Sequence, residues 1–392
     1  MIRLLINGLA ASAGGGLTYL INLIPHFAQR DDVEATILVT DSTRPLLRGA
    51  GNVSILEEPT TRASGARFLH EQRTIPALIR ESRTQVLISA GNFALRKSPV
   101  PQILLSRNAL YTSKDFTRDL RYRGELRLLI DTRIRAWLAR RSIRWADRTV
   151  APTQSFAQEL RDWTGVKIDC IYHGFDVVAF SRDVTPLPAN VQAALQGGAN
   201  GFRVLFVSHY NYYRNFETLF RALPLLRDRL QGRPFKLYLT CKLSSAETPG
   251  SYQAESARAL VDRLEIRNEV VELGAIPYGS LHQLYSACDL YVTPAYAESF
   301  AHPLVEAMSC GLPIVASDLS VHREMCRDAA VYFPRFSHES LAERIAEVAG
   351  TPELSQRLSA AGEKRVRDFS WAKHVDQLVA LACELLAERR ST

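Results

Sequence analysis

The chain has 392 residues, enough for two ordinary domains, and its 46% hydrophobic and 23% charged residues are typical of a folded soluble protein. Its longest apolar runs, such as LINLI, are far shorter than the roughly 20 residues that cross a bilayer. The six cysteines show neither a CxxC pair nor metal-ligand spacing. This composition argues against a membrane-spanning or disulfide-stapled chain and favours reduced thiols in a cytoplasm.

The chain begins with IRLLING, which predicts a strand, followed by a small-residue loop. The small residues of MIRLLINGLAASAGGG could belong to a signal peptide, but the apolar core LLI is too short for one, so we interpret the start as a cytosolic strand. Leu17, Leu20, Ile21 and Ile24 then recur at helical spacing and predict the first helix.

Short β-rich runs alternate with amphipathic helical stretches, the pattern of parallel sheets covered by helices on both faces. The first cycle contains IRLLING, EATILVT, VSILEE, QVLISAG, PQILLS and RTVAPT, and the second contains FRVLFVS, FKLYLTC, VVELG, LYVTP, PIVAS and AVYFP. A stretch rich in Gly, Pro, Ala and Asn separates the two cycles. We predict an α/β fold of two Rossmann-like domains facing a central cleft. Their predicted bounds are 1–175 and 201–370, with a linker at 176–200 and a final helix at 371–392 that can pack on either domain, including back on the first.

The positive charge is concentrated in one segment. Between Arg118 and Arg148 there are ten arginines and four acidic residues, so this segment holds +6 of the formal net charge of +7. Apolar residues lie between them at roughly helical spacing: Leu126, Leu129, Ile130, Ile134, Trp137, Leu138 and Trp145. A basic helix of this kind can lie on an anionic membrane surface, whereas a domain helix with a solvated basic face gives the same pattern. No nucleic-acid-binding signature is present, so nucleic acid is not an expected partner.

Two glutamates stand close together in LYVTPAYAESFAHPLVEAM. Glu298 lies in the predicted loop after a strand, and Glu306 lies near the start of a helix whose first turn contains Pro303. The N–H groups of residues 300–304 would lack helical partners and suit a diphosphate, while carboxylates accept hydrogen bonds from sugar hydroxyls. Alternatively, Glu306 only complements the helix dipole and Glu298 is solvated. The residues alone leave both interpretations open.

The stretch PAYAESFAHPLVEAMSCGLPIVAS resembles the E-x7-E region of the retaining glycosyltransferases of family 4, which have the GT-B fold. The likeness extends from FRVLFVS to FSWAKHVDQL, about half of the chain. It implies that Glu298 contacts the donor sugar and Glu306 the ribose of the nucleotide. Ser299 and Ala301 stand where that family usually has glycines. The predicted donor-binding residues of this motif are Glu298, Ser299, Phe300, Ala301, His302 and Glu306.

Further donor contacts follow from the same resemblance. In VLFVSHYNYYRNFETLF, the positions at which the family has a glycine–arginine pair and then a lysine hold Ser208–His209 and Arg214–Asn215. The resemblance therefore assigns Arg214 and His209 to the donor diphosphate, although an arginine that caps a surface turn would look the same. In GAIPYGSLHQLYSACDL, register alone places Ile276 beside the nucleotide base.

The first half offers fewer candidates. Three glycines in SAGGGLTYLINL let a ligand approach the backbone, although a tight strand–helix turn needs the same residues. The resemblance puts this loop beside the donor phosphate and predicts contacts from Gly15 and Gly16. In QILLSRNALYTS, Arg107 or Asn108 could replace a histidine that many relatives have near the reacting carbon, and we assign Asn108. His173, at a family asparagine position, suits a structural role equally well.

The resemblance implies a retaining, metal-independent glycosyltransferase of the hexosyltransferase type, with Glu298, Arg214 and Asn108 as predicted catalytic residues. Domain 1–175 would bind a glycan or lipid-linked acceptor, and domain 201–370 would bind a UDP-, GDP- or dTDP-linked sugar. No cofactor is predicted, because the nucleotide sugar is a substrate. No metal ligand is predicted, because the acidic residues of the motifs are too few and too far apart for a two-carboxylate Mg²⁺ site.

The basic segment points to bacterial surface polysaccharide or glycolipid assembly, with the protein in the cytoplasm or peripheral on the inner face of the membrane. Two alternatives stay open. One is a sugar-nucleotide epimerase, which would need no acceptor. The other is a non-catalytic, nucleotide-sugar-binding scaffold subunit, which the residues at positions 209, 299 and 301 would allow.

Overall fold

The computed structural model describes residues 1–11, 14–59, 64–182, 185–198, 200–246 and 252–390. Its strands are β1 (Ile2–Asn7), β2 (Val33–Thr40), β3 (Val53–Glu58), β4 (Val86–Ser89), β5 (Gln102–Leu105), β6 (Arg148–Ala151), β7 (Asp169–Cys170), β8 (Phe202–Phe206), β9 (Phe235–Leu239), β10 (Val270–Glu272), β11 (Leu290–Thr293), β12 (Ile314–Ser317) and β13 (Ala330–Phe333). All twelve strands predicted from the apolar runs are present, and β7 is additional.

The helices alternate with these strands along the chain. They are α1 (Gly14–Ala28), α2 (Ser64–Glu81), α3 (Lys114–Tyr122), α4 (Leu126–Trp145), α5 (Gln154–Thr164), α6 (Val177–Arg182), α7 (Ala189–Gly197), α8 (Phe216–Arg229), α9 (Glu255–Arg263), α10 (Tyr278–Ser286), α11 (His302–Ser309), α12 (Ser320–Cys326), α13 (His338–Gly350), α14 (Pro352–Arg365) and α15 (Trp371–Arg390). Short 3-10 turns cover Arg44–Leu46, Ala109–Tyr111, Tyr212–Arg214 and Val366–Asp368.

The chain forms two compact units, each with one parallel sheet. The first unit comprises Met1–Thr112, Ile130–Gly174 and Ser370–Thr392, and the second comprises Ser113–Leu129 and Phe175–Phe369. The first sheet has the strand order β3-β2-β1-β4-β5-β6-β7, and the second has the order β10-β9-β8-β11-β12-β13. In each sheet the order reverses beside the first strand, between β1 and β4 and between β8 and β11. Such a switch point leaves a crevice at the carboxyl ends of the strands, where ligands bind.

Both faces of the first sheet are covered, and β1 shows how. Its Leu4 and Ile6 pack in a core that α1 and α15 share, while Leu5 points to the other face. There it packs with Ile75 and Ile79 of α2. Because side chains alternate along a strand, a strand covered on both faces has to be apolar at successive positions. The uninterrupted apolar runs of the sequence reflect this burial.

The two units differ from the domain bounds expected from the sequence. Residues 113–129 belong to the second unit, because their charged side chains pair with partners there. Residues 176–200, expected as a linker, contain α6 and α7, and Phe180 of α6 packs its ring 5.4 Å from that of Tyr278. Helix α15 belongs to the first unit, because one face of it is buried in the core with α1.

Candidate functional site

The predicted charged residues of the second unit follow the two strands that flank its switch point. Arg214 ends a short 3-10 turn after β8, and Glu298 lies in the loop after β11. Their side chains form a hydrogen-bonded ion pair. The side chains are only 20% and 10% exposed, so solvent weakens this pair less than it weakens a surface pair. The fold therefore joins two of the three predicted catalytic residues.

The guanidinium of Arg214 has one group that the protein leaves unused. Its Nε is buried and has no hydrogen-bond partner among the described residues. The guanidinium carbon lies 5.1 Å from the centre of the Tyr213 ring, which helps to fix the side chain. A buried N–H without a partner is costly, so an acceptor supplied by a ligand would be stabilising here.

Glu306 lies on α11 and is 6% exposed. Its Oε2 accepts a hydrogen bond of 2.9 Å from the hydroxyl of Tyr285, a residue of α10 that sequence reasoning missed. Burial raises the pKa of Glu306 to about 7, and the hydrogen bond from Tyr285 opposes this shift. The carboxyl group of Glu306 therefore changes its charge close to neutral pH. The side chain of Glu298 is only 10% exposed, so it is not the solvated group of the alternative interpretation.

The loop between the two glutamates enters α11 through a strained residue. Ala301 is the N-cap residue and has a φ of 63°, in the left-handed region that favours glycine. Glycine, which the resembled family usually has at this position, adopts this conformation without strain. Not all of the expected free N–H groups exist, because Pro303 has none and Leu304 donates to the carbonyl of Ala301 at 3.0 Å.

The remaining residues of this motif are partly or fully buried. Ser299 and His302 are partly buried, and Phe300 is fully buried, with its ring 4.7 Å from that of His302. Ile276 is partly buried just before α10, the helix that carries Tyr285, whereas His209 is exposed after β8. Their assignment to the donor stays a prediction.

The candidate site residues of the first unit make hydrogen bonds and ring contacts within that unit. Asn108 caps the turn Ala109–Tyr111, accepting a hydrogen bond from the N–H of Leu110 at 3.0 Å. Arg107 donates to the carbonyl of Ala90, and its guanidinium lies 4.5 Å from the centre of the Tyr19 ring. Burial lowers the pKa of Arg107. These contacts are those of structural residues, and the catalytic role of Asn108 stays a prediction.

The predicted glycine loop differs in conformation from the expectation. Gly15 and Gly16 lie in the first turn of α1 instead of a loop, while residues 12 and 13 lie outside the described chain. A Cβ at Gly16 would come within 3.2 Å of Ala11, whereas at Gly15 it would meet no atom of the described residues within 4 Å. A side chain at position 16 would therefore need Ala11 to shift by a few tenths of an ångström, whereas position 15 has space for one among the described residues. His173 packs its ring on Trp371 and Tyr19, which fits the structural interpretation.

Helix α3 is bound beside the Arg214–Glu298 pair by a network that the sequence did not reveal. Asp119 accepts a hydrogen bond of 2.6 Å from the hydroxyl of Tyr296, two residues before Glu298. Arg123 pairs with Asp119 at 2.9 Å and with Glu217 at 2.7 Å. Just after α3, Glu125 accepts a hydrogen bond of 2.6 Å from Tyr212, two residues before Arg214. Residues 113–129 therefore hold both loops that carry the pair.

Helix α4 presents an unusual exposed face. Leu126, Ile130, Ile134 and Trp137 recur at spacings of three and four residues and are 58–62% exposed. Arginines continue the same face toward the carboxyl end of the helix: Arg133, Arg140, Arg141 and Arg144. In the described residues no helix is long and apolar enough to cross a membrane. The same residues contain no group of three or more His, Cys, Asp or Glu side chains that could hold a metal ion.

Two parallel Rossmann-like units, the second with a charged pair at its switch point, define an α/β protein of the GT-B type. A family model for glycosyl transferases of group 1 matches residues 194–365, and a model for glycosyltransferase family 4 matches residues 13–179. The two models together cover most of the chain, which belongs to this family of glycosyltransferases.

Individual proteins agree with this assignment. The D-inositol 3-phosphate glycosyltransferase of Nocardia farcinica is 28% identical over 240 residues, which are 60% of this chain and 52% of that protein. The enzyme of the same name from Mycolicibacterium smegmatis is 28% identical over 255 residues, 63% of this chain and 55% of that protein. The chain spans about half the length of these curated relatives.

Solved structures match the fold over nearly the whole chain. Sucrose-phosphate synthase from Thermosynechococcus elongatus has a TM-score of 0.77 and 17% identity, over 99% of this chain and 100% of that one. Anabaena HepE in complex with UDP-glucose has a TM-score of 0.71 and 18% identity, over 98% and 100%. At such identities these likenesses show the fold alone, which is the GT-B fold expected from the sequence.

Proposed function

We propose that the protein transfers a sugar from a nucleotide diphosphate sugar to a hydroxyl group, with retention of the anomeric configuration. The observation that carries the proposal is the partly buried Arg214–Glu298 pair at the switch point between β8 and β11. A cation for a diphosphate and a carboxylate for sugar hydroxyls stand side by side there. The names of the relatives that match over half their length support transfer over epimerisation.

Arg214 would stabilise the leaving group. As the bond between the anomeric carbon and the diphosphate oxygen breaks, negative charge grows on that oxygen, and a fixed guanidinium lowers the free energy of this state. The Nε–H of Arg214, which has no partner among the described residues, supplies the first donor to the diphosphate. The donor diphosphate would also attract Arg214 away from Glu298, which frees that carboxylate for the sugar.

Glu298 would orient the sugar through its hydroxyls. In a front-face reaction the acceptor oxygen bonds to the anomeric carbon on the side that the diphosphate leaves, and the departing phosphate oxygen takes the acceptor proton. No protein base is needed for this step, and the positive charge that offsets the diphosphate comes from Arg214. Asn108, Gly15 and Gly16 are retained as proposed contacts from the first unit.

Glu306 would bind the ribose hydroxyls of the nucleotide. An ionised carboxylate is the stronger acceptor for such hydroxyls, so binding should favour the charged form of Glu306. Because burial raises the pKa of this group to about 7, the affinity for the donor should rise with pH through neutrality. Tyr285 would remain the partner of Oε2 and hold the carboxylate in place.

An anionic membrane surface is the partner that the exposed face of α4 suits. Its four apolar side chains, followed by arginines, match a helix that lies in a lipid interface. This supports a lipid-linked or membrane-proximal acceptor, as in surface polysaccharide or glycolipid assembly. The test is sedimentation with phosphatidylcholine vesicles, with and without phosphatidylglycerol. Ile134→Ser/Trp137→Ser should abolish binding to the anionic vesicles, and equal binding by wild type and variant would contradict the assignment.

The transfer itself is tested with UDP-, GDP- and dTDP-sugars and a panel of hydroxyl acceptors, with the product anomer determined by NMR. We expect one donor class to give a product of retained configuration, and Glu298→Gln to lose it. An inverted product would exclude the retaining mechanism. Conversion of the nucleotide sugar without an acceptor would favour the epimerase, and binding without turnover across the acceptor panel would favour the scaffold subunit.

A further inference from the structure

The second unit contains a cavity of about 630 Å³ to which the proposed function assigns no role. Its walls come from α3, α8 and α9, together with Tyr296 and Phe336. This volume lies within the roughly 300–1,000 Å³ that is usual for small-molecule sites. Among the described residues, seven charged ones line it: Asp115, Arg118, Asp119, Arg123, Glu217, Arg221 and Arg263.

The three carboxylates of the cavity are already neutralised. Asp119 and Glu217 both pair with Arg123, at 2.9 and 2.7 Å. Asp115 pairs with Arg118 at 2.5 Å and with Arg335 at 3.1 Å. Carboxylates that are paired in this way present little net negative charge to a ligand.

Two arginines of the cavity are left without a carboxylate partner in the part of the chain that the structure describes. Arg221 stands four residues after Glu217 on α8, the usual spacing for a helical ion pair, but Glu217 is held by Arg123. Arg263 follows Asp262, whose carboxylate pairs with Arg267 at 2.5 Å. Two different helices thus each direct an uncompensated cation to the same cavity.

We propose that this cavity is a second ligand site, which binds a small phosphate-bearing anion between Arg221 and Arg263. Arginine presents several N–H groups in a planar fork that matches phosphate oxygens, so two of them on separate helices can bind one phosphate from two sides. Arg118 of α3 also lines the cavity, where it stays paired with Asp115. Leu260 and Phe336 supply apolar wall for the remainder of such a ligand.

The test is isothermal titration of the full chain with inorganic phosphate at constant ionic strength, with chloride as the balancing anion. We expect wild type to bind phosphate, and Arg221→Gln/Arg263→Gln to bind it at least roughly tenfold more weakly. The matched control is Arg229→Gln/Arg357→Gln, which removes the same charge from exposed positions outside the cavity and should bind as wild type does.

A second control separates this site from the proposed diphosphate site. Arg214→Gln should leave phosphate binding by the cavity unchanged. Absence of binding by wild type, equal binding by the Arg221/Arg263 variant, or loss of binding only in Arg214→Gln would each overturn the inference. Because the inference does not need glycosyl transfer, it can fail while the proposed function stands.

The source of the phosphate is distinguished by a vesicle assay in which all proteins also carry Ile134→Ser/Trp137→Ser, so that helix α4 does not bind the vesicles. Flotation with phosphatidic acid vesicles that is lost in Arg221→Gln/Arg263→Gln but kept in Arg229→Gln/Arg357→Gln would identify a lipid headgroup as the ligand. Flotation equal in all of these proteins, together with the loss of phosphate binding in the Arg221/Arg263 variant, would identify a soluble phosphorylated compound. Either result supports the site and names its class of ligand.

Discussion

The two sheets have the same kind of switch point, but their polar residues are used differently. In the first unit, Asn7 at the end of β1 donates to buried Glu71 at 2.9 Å, and Asn108 caps a turn. In the second unit, Arg214 and Glu298 hold each other, and one N–H of Arg214 has no partner among the described residues. Polar groups that are bonded to fixed partners within the protein build a scaffold, whereas a charged pair can exchange partners with a ligand. The comparison supports the proposal that the donor binds in the second unit.

We expect the largest effect from a substitution that breaks the Arg214–Glu298 pair. Glu298→Gln should lower kcat for sugar transfer by roughly 10²–10³-fold, because the charged group that orients the sugar hydroxyls in the transition state is lost. Glu34→Gln is the matched control, since the Arg3–Glu34 pair of the first unit is 45% and 48% exposed. That control should leave kcat unchanged and alter the free energy of unfolding by less than about 1 kcal/mol. Equal activity of the two variants would remove Glu298 from the mechanism.

Glu306→Gln should change how stability depends on pH. Because the pKa of Glu306 is raised to about 7 in the folded protein, the native state holds more protons than the unfolded state below that pH. The free energy of unfolding of wild type should therefore fall as pH rises from the ordinary pKa of a glutamate to about 7, by roughly 3 kcal/mol at most. Glutamine removes this fall, so the variant should gain on wild type between pH 5 and pH 8 in urea unfolding. Parallel stability curves for the two proteins would mean that Glu306 is ionised in the folded state at all of these pH values.

Tyr296→Phe tests whether α3 stabilises the loop that carries Glu298 in the second unit. The change removes the 2.6 Å hydrogen bond to Asp119, and we expect a loss of about 1–2 kcal/mol in the free energy of unfolding. Asp119 keeps its pair with Arg123, which limits the loss. Tyr332→Phe, which removes a 2.7 Å bond to a backbone carbonyl, is the control, with a smaller expected loss. A loss no larger than that of the control would show that α3 is bound mainly by its other contacts.

Asn108→Ala is expected to have the smallest effect on transfer. Loss of the cap should cost about 1 kcal/mol of stability, and activity should fall less than in Glu298→Gln. Unfolding in urea and steady-state rates on the same preparations separate the two effects. A hundredfold loss of kcat at unchanged stability would instead make Asn108 a catalytic residue, and the first unit would then contribute directly to the chemistry.

Much of the fold followed from the sequence, because buried parallel strands are contiguous apolar runs. All twelve predicted strands were confirmed by the structure, and β7 was missed since two residues carry no periodic signal. Helices α6 and α7 were missed because the prolines and glycines around them indicated a linker.

The site was harder to predict, since its decisive contacts join residues distant in the chain. The sequence around Glu306 does not indicate that Tyr285 on another helix donates a hydrogen bond to it. The burial and the raised pKa of Glu306 could therefore not be predicted. The basic stretch 118–148 was noticed as a charge cluster. However, Arg123 has its partners at Asp119 and Glu217, and only the fold shows that this ties α3 to the second unit. The family motif predicted Arg214 and Glu298 as site residues, and the fold joins them in one pair.

The most direct test of the central claim is the equilibrium binding of UDP-, GDP- and dTDP-sugars to wild type, Arg214→Gln and Asn108→Ala. We expect wild type to bind one nucleotide class, Arg214→Gln to weaken this binding by roughly tenfold or more, and Asn108→Ala to weaken it much less. Binding that Arg214→Gln leaves intact, or no binding of any nucleotide sugar by wild type, would contradict the assignment of the donor to the second unit.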